Sequence, residues 1–192
     1  SDVYKRQAQA NAAAAFNKDG FELFNNRTYV FLGDGCMQEG VASEAASMAG
    51  HLGLKNLIAF YDDNHITIDG DTNCAFTEDV GKRFESYNWN VLTVKNGDED
   101  LSALWDAIVK AQQEKERPTL VCVQTTIGFG SLNQGKASVH GAPLKEDDIA
   151  QLKTKFGFNP EEKFVVPHDV RDAYKSYADR GAAKHAEWLK LF

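Results

Sequence analysis

The sequence predicts an α/β protein built on a largely parallel sheet flanked by helices, with a helical extension toward its C-terminus. Two observations carry this reading. Short runs rich in β-branched and aromatic residues, Thr28 to Leu32, Leu57 to Tyr61, Asn90 to Lys95 and Thr119 to Thr126, have the continuous apolar character of strands buried on both faces. Segments of helical composition or period separate them, and strand-helix-strand order implies right-handed crossovers in a parallel sheet.

Taken in order, Ala8 to Phe16 is an alanine-rich helix favoured by propensity, closed by the turn Asn17-Lys18-Asp19-Gly20. After the first strand, Glu39 to about Leu52 reads as a helix of small residues (Ala42, Ala45, Ala46, Ala49, Gly50) that can pack closely on its neighbours. The second strand leads past Asn64 into a polar loop through Asp69-Gly70-Asp71, with Thr77 expected to cap a helix running to Tyr87. Between the third and fourth strands, Asp98 to Glu116 places Leu101, Leu104, Trp105, Ile108 and Ala111 at helical spacing, and Pro118 precedes the fourth strand. Residues 127–143 form a glycine-punctuated loop longer than a structural connection needs, which suggests function. Lys145 to Phe156 and Val170 to Leu191 read as helices, the second charge-rich and suited to a packing arm or the approach to a linker.

The composition excludes several functions. With 192 residues, 43% hydrophobic and 26% charged, the chain can bury a sizeable core. A net charge of -7 gives no basic footprint for nucleic acid and no attraction to an anionic membrane. No run approaches the roughly twenty apolar residues of a membrane span. The three scattered cysteines, Cys36, Cys74 and Cys122, fit a reducing compartment, so the expected location is cytoplasmic.

The chemistry concentrates at two strand ends. Gly33-Asp34-Gly35 follows the first strand, and Tyr61-Asp62-Asp63-Asn64-His65-Ile66 continues the second about thirty residues later. In an open α/β sheet, ligands sit outside the carboxyl ends of the strands. The glycines suit a sharp turn and close approach of a ligand, while Asp34 and Asn64 offer hard oxygens suited to Mg²⁺ or Ca²⁺. A helix starting near Gln38 would point its N-terminus at a phosphate bound to that cation. The residues alone thus read as a metal plus diphosphate site, against the plainer alternative of a turn aspartate.

Gly33-Asp34-Gly35 with a terminal asparagine resembles the thiamine-diphosphate motif, and Gly33-Asp34-Gly35-Cys36-Met37-Gln38-Glu39-Gly40 resembles the transketolase branch. Thr125-Thr126-Ile127-Gly128-Phe129-Gly130 and Ser138-Val139-His140-Gly141-Ala142-Pro143-Leu144 are similar to transketolase segments in the same order. The resemblance implies the diphosphate-binding domain over residues 7–192, with the pyrimidine and C-terminal domains absent; Ser1 to Arg6 have no recognisable counterpart and are expected to be a non-native leader. It implies that the side chains of Asp34 and Asn64 and the carbonyl of Ile66 hold the metal, and that Gly33 and Gly35 line the diphosphate. Ile127 would pack on the cofactor ring, His140 would lie beside cofactor and substrate, and Glu39 and Glu44 would be subunit-interface glutamates near a shared active site. Position 63 departs from the commoner motif, being Asp where Asn-Asn is usual. His51, His65, His168 and His185 have no expected partner. The implied activity is transfer of a two-carbon ketol unit between sugar phosphates in a homodimeric transketolase, the isolated chain being inactive. The alternatives are a sibling such as dihydroxyacetone synthase or a non-catalytic transketolase-like binding protein.

Overall fold

The computed structural model describes residues 2–192, except that it leaves the side chain of Asp2 undescribed. Helix α1 (Asp2–Phe16) leads to strand β1 (Thr28–Gly33), the short helix α2 (Asp34–Met37) and helix α3 (Gly40–His51). Strand β2 (Leu57–Asp63) follows, then a hairpin of β3 (Ile66–Thr67) and β4 (Gly70–Asp71), α4 (Val80–Ser86), β5 (Asn90–Val94), α5 (Leu101–Gln113) and β6 (Thr119–Gln124). Helices α6 (Glu146–Lys155) and α7 (His168–Leu191) complete the chain. The main sheet has the order β1-β2-β6-β5, every neighbouring pair parallel, as the alternating strand and helix pattern predicts.

Each face of the sheet has its own core. Leu57, Ala59, Tyr61, Leu120 and Cys122 point to one face, where Met37, Ala46, Ala49, Phe84 and Trp89 close over them. Ile58, Phe60, Val121, Val123 and Val94 point to the other, against Ala107 and Ala111 of α5. The small residues of α3 serve the close approach expected of them. Trp89 reaches over to donate its Nε1–H to the carbonyl of Ala46 at 2.8 Å, so the end of α3 is pinned to the turn between α4 and β5.

Several boundaries differ from the expected ones. Helix α1 begins at Asp2 and not Ala8, running through the segment expected to be a leader; Ser1 lies outside the described residues. Arg6 within it is buried, with Nε and Nη1 lacking hydrogen-bond partners among the described residues. The cap of α4 is Asp79, whose side chain accepts from Lys82 N, and not Thr77. Asp100 caps α5 in the same way, so that helix starts at Leu101 and not Asp98. An aspartate side chain reaches the orphan amides of a first turn readily, which sets these starts. The polar loop after Asn64 contains the hairpin β3/β4, too short for any alternation to reveal. On α5, Leu101 and Trp105 are exposed, so the stripe read as one apolar face is split: Leu104 and Ile108 are half-buried and Ala111 is buried. The same side of the sheet leaves Phe31 82% exposed, its ring stacked on that of Phe60 at 5.4 Å between centroids. Among the described residues no helix is long and apolar enough to cross a membrane.

Candidate cation and phosphate site

Parallel pairing brings the two strand ends together. Leu32 pairs with Tyr61 and Gly33 with Asp62, so Asp34 sits just past the end of β1 beside the chain leaving β2. Asp34 is buried, 3% exposed, as the first residue of α2. Its Oδ1 accepts from the hydroxyl of Tyr61 at 2.7 Å and its Oδ2 from the amide of Asn64 at 3.3 Å. It forms no ion pair among the described residues, although Asp63 and His65 each bring a potential ligand atom within 4.8 Å. A buried carboxylate with neutral donors only carries a charge that calls for a cation.

Asn64 is held on both sides. Its Nδ2 donates to Asp62 Oδ2 at 3.3 Å, while its Oδ1 accepts from Ile66 N at 3.0 Å. Asp62 also accepts from Thr125 Oγ1 at the end of β6, so three strand ends share one network. His65, which sequence left without a partner, lies 3.5 Å from Asp63 through Nδ1 and adopts a left-handed backbone, φ 60, that swings the chain from β2 into the hairpin. The other histidines are peripheral: His168 pairs with Asp172 at 3.0 Å, and His185 stacks on Trp188.

The glycines act differently from the sharp turn expected. Gly33 is extended, with φ -110 and ψ -179, and neither Gly33 nor Gly35 has positive φ. A Cβ at either position would meet nothing within 4 Å. What they provide is bare backbone beside Asp34. As the second residue of α2, Gly35 has an N–H with no acceptor inside the helix. The expected helix start near Gln38 is replaced by two helices: α2 begins at Asp34, and α3 begins at Gly40 with Glu39 as its N-cap.

Tyr61, Asp62 and Asp63 belong to the strand-end stretch named from sequence but had no role assigned there, because each looks like ordinary strand or loop chemistry until pairing register places the stretch against Asp34. Burial pushes the Asp63 carboxyl up from its ordinary range. Burial likewise pushes the Cys122 thiol up to about 12, which leaves no thiolate at neutral pH. Glu39 and Glu44 are exposed, and among the described residues neither side chain has a hydrogen bond to the strand-end cluster.

Ile127 and His140 lie on the loop after β6. Ile127 is half-buried and its carbonyl accepts from Gly135 N at 2.8 Å, while His140 follows a short 3₁₀ turn, exposed, with no side-chain partner among the described residues. The loop is anchored by Asp148 of α6, which accepts from Ser131 Oγ at 2.6 Å, Leu132 N at 3.0 Å and Gln151 Nε2 at 2.8 Å. The Ser131 bond first, then that from Leu132 N, hold the Asp148 carboxyl below its ordinary range. The folded state therefore binds this proton more weakly than the unfolded chain. The anchor's contribution is complete above the unfolded aspartate pKa, about 3.9, and is lost as pH falls through the lower folded value. Exchange protection of the Leu132 amide is expected to stay constant down to about pH 4 and fall only below it; a loss of protection already near neutral pH would remove Asp148 as the anchor.

Fold and site together define a class: parallel α/β domains whose adjoining strand ends present a cation-competent carboxylate beside open glycine backbone. The chain belongs to the transketolase family, since the family described as "Transketolase, thiamine diphosphate binding domain" matches residues 1–192. Transketolase 1 of Saccharomyces cerevisiae is 60% identical over 186 residues, covering 96% of this chain and 27% of that protein. The Kluyveromyces lactis transketolase is 62% identical over 185 residues, with the same coverages of 96% and 27%. A crystal structure of a Pichia stipitis transketolase complex with sedoheptulose 7-phosphate superposes with a TM-score of 0.96 at 54% identity, covering 99% of this chain and 28% of that one. The chain thus spans about 27% of the length of these curated relatives.

Proposed function

We propose that this chain is the diphosphate-binding part of a transketolase, which moves a two-carbon ketol unit from a ketose phosphate such as xylulose 5-phosphate to an aldose phosphate such as ribose 5-phosphate. The observation that carries this reading is Asp34, a buried carboxylate with no ion pair among the described residues, set beside Asn64 where β1 and β2 end. A Mg²⁺ or Ca²⁺ ion would be held by Asp34, Asn64 and the Ile66 carbonyl, all of them hard oxygens. Thiamine diphosphate supplies the carbanion chemistry of the transfer when bound. The open backbone at Gly33 and Gly35 receives its diphosphate, the Gly35 N–H being available as a donor, and Ile127 offers an apolar surface to its ring.

His140 acts on the substrate side. An exposed imidazole with no side-chain partner among the described residues has one nitrogen to donate to a substrate hydroxyl and another to accept from one, which suits proton transfer. His140→Ala in the full-length enzyme is expected to lower kcat/KM by roughly 10²-fold or more with cofactor affinity largely retained. An effect confined to cofactor affinity would reduce His140 to a positional role. Glu39 and Glu44, exposed near the start of α3, fit the interface of a homodimer in the cytoplasm.

Ketol transfer from xylulose 5-phosphate to ribose 5-phosphate by the full-length protein, lost on chelation and restored by Mg²⁺, tests the proposal. A second reading has one observation in its favour: a dihydroxyacetone synthase of Pichia angusta is 44% identical over 184 residues, covering 96% of this chain and 26% of that protein. Preference for formaldehyde over ribose 5-phosphate as acceptor would favour it. The 192 residues alone are expected to bind the cofactor no better than millimolar and to turn nothing over, because association costs several kcal/mol before any contact counts and these residues offer only the diphosphate groups and the Ile127 surface.

A further inference from the structure

We propose that Tyr61 is a positioning residue for the cation, its buried hydroxyl holding the Asp34 carboxylate in the orientation that receives the metal. The proposal rests on the reading of Asp34 as a metal ligand. Tyr61 is 3% exposed, and its ring is part of the core between the sheet and α3 and α4. Its hydroxyl donates to Asp34 Oδ1 at 2.7 Å, with the Asp63 carboxylate also beside it. The Asp34 carboxylate is also gripped at Oδ2 by Asn64 N, so neither oxygen can rotate away without breaking a bond. An ionised carboxylate offers about four lone-pair sites; two are used here, and the remainder are left for a cation.

The choice of donor explains why the position suits a tyrosine. A lysine or arginine in its place would orient Asp34 equally well but would neutralise it and compete with the metal. A neutral hydroxyl orients the carboxylate and leaves its full charge to the cation. The rigidity of the ring matters as well. Its single hydroxyl direction is fixed by the core, and through it the packing of Leu57, Ala59 and Leu120 reaches the ligand.

Groups that orient a metal ligand from behind are typically worth 10- to 100-fold in metal affinity. The test is titration of full-length enzyme, wild type, Tyr61→Phe and Asp34→Ala, with Mn²⁺ in the presence of thiamine diphosphate, free Mn²⁺ being counted by its paramagnetic resonance signal. Phenylalanine keeps the ring in the core and removes one oxygen. Tyr61→Phe is expected to weaken Mn²⁺ binding about 10- to 100-fold, with turnover recovering at saturating metal. Should the variant unfold without metal, the same affinity is read from the rise of its unfolding midpoint with Mn²⁺ concentration. Unchanged Mn²⁺ affinity in Tyr61→Phe, alongside its loss in Asp34→Ala, would overturn the proposal and leave Tyr61 a structural hydrogen bond. Wild-type affinity in Asp34→Ala would instead overturn the metal-ligand reading on which the proposal stands.

Discussion

Asp34→Ala in the full-length enzyme is expected to abolish saturable, metal-dependent binding of thiamine diphosphate. Asp34 is the one charged oxygen among the proposed ligands; Asn64 and Ile66 contribute neutral carbonyls. Without it, the cation loses its only ionic bond to the protein, and the diphosphate meets a buried site whose charge is no longer balanced. Removing the charged member of a desolvated set costs several kcal/mol, and about 4 kcal/mol already corresponds to a thousandfold in Kd. Titration calorimetry with Mg²⁺ should show no saturable heat. Affinity equal to wild type would take Asp34 out of the metal site. Asp34→Asn separates the two contributions, because it keeps an oxygen near Tyr61 and Asn64 while deleting the charge; binding there is expected to be weak but measurable at high Mg²⁺.

The second large effect concerns stability. Gly50, buried near the end of α3, lies so close to the turn after α4 that a Cβ would stand 1.7 Å from the carbonyl oxygen of Tyr87 and 2.9 Å from its carbonyl carbon. Both are backbone atoms, and Trp89, tied to Ala46, stops the turn from backing away. Gly50→Ala must therefore separate α3 from the α4–β5 turn. Overpacking of this kind costs about 3 kcal/mol or more, which for a domain of this size lowers the unfolding midpoint by roughly 10 °C. Gly33→Ala makes the contrasting control, since a Cβ there meets nothing within 4 Å. It should melt like wild type and weaken cofactor binding instead. Equal melting of wild type and Gly50→Ala would show that α3 can shift freely on the sheet.

The sheet was legible in the sequence and much of the site was not, for a physical reason. Buried parallel strands announce themselves as apolar runs, and β1, β2, β5 and β6 begin within a residue of where those runs begin. The motif that marks Asp34 and Asn64 was equally visible. What pairing register adds cannot be read along the chain: Tyr61 stands 27 residues from Asp34, yet its hydroxyl touches it. Helix starts went astray at Thr77 and Asp98 because several polar residues in a row can each cap, and tertiary packing chooses which one does. The glycine pair stands at the strand end without the sharp turn expected of it, because sequence does not distinguish a glycine needed for a left-handed turn from one that leaves open space. His140 and Ile127 were placed on a loop, where they are, but the described contacts do not join them to Asp34.

Helix α7 has 24 residues and buries none of them, and among the described residues its one side-chain hydrogen bond to the body of the protein is from Trp188 Nε1 to the carbonyl of Leu23 at 3.0 Å. Its other supports are internal, such as Lys175 to Asp179 and the guanidinium of Arg180 over the ring of Tyr177. Pairs of this kind contribute a few tenths of a kcal/mol each, whereas the strands draw on two packed cores. The chain therefore carries two separate opening equilibria. In these 192 residues by themselves, the amide protons along most of α7 are expected to exchange with solvent on the timescale of an isolated peptide helix, while those of β2 and β6 wait for the whole sheet to come apart.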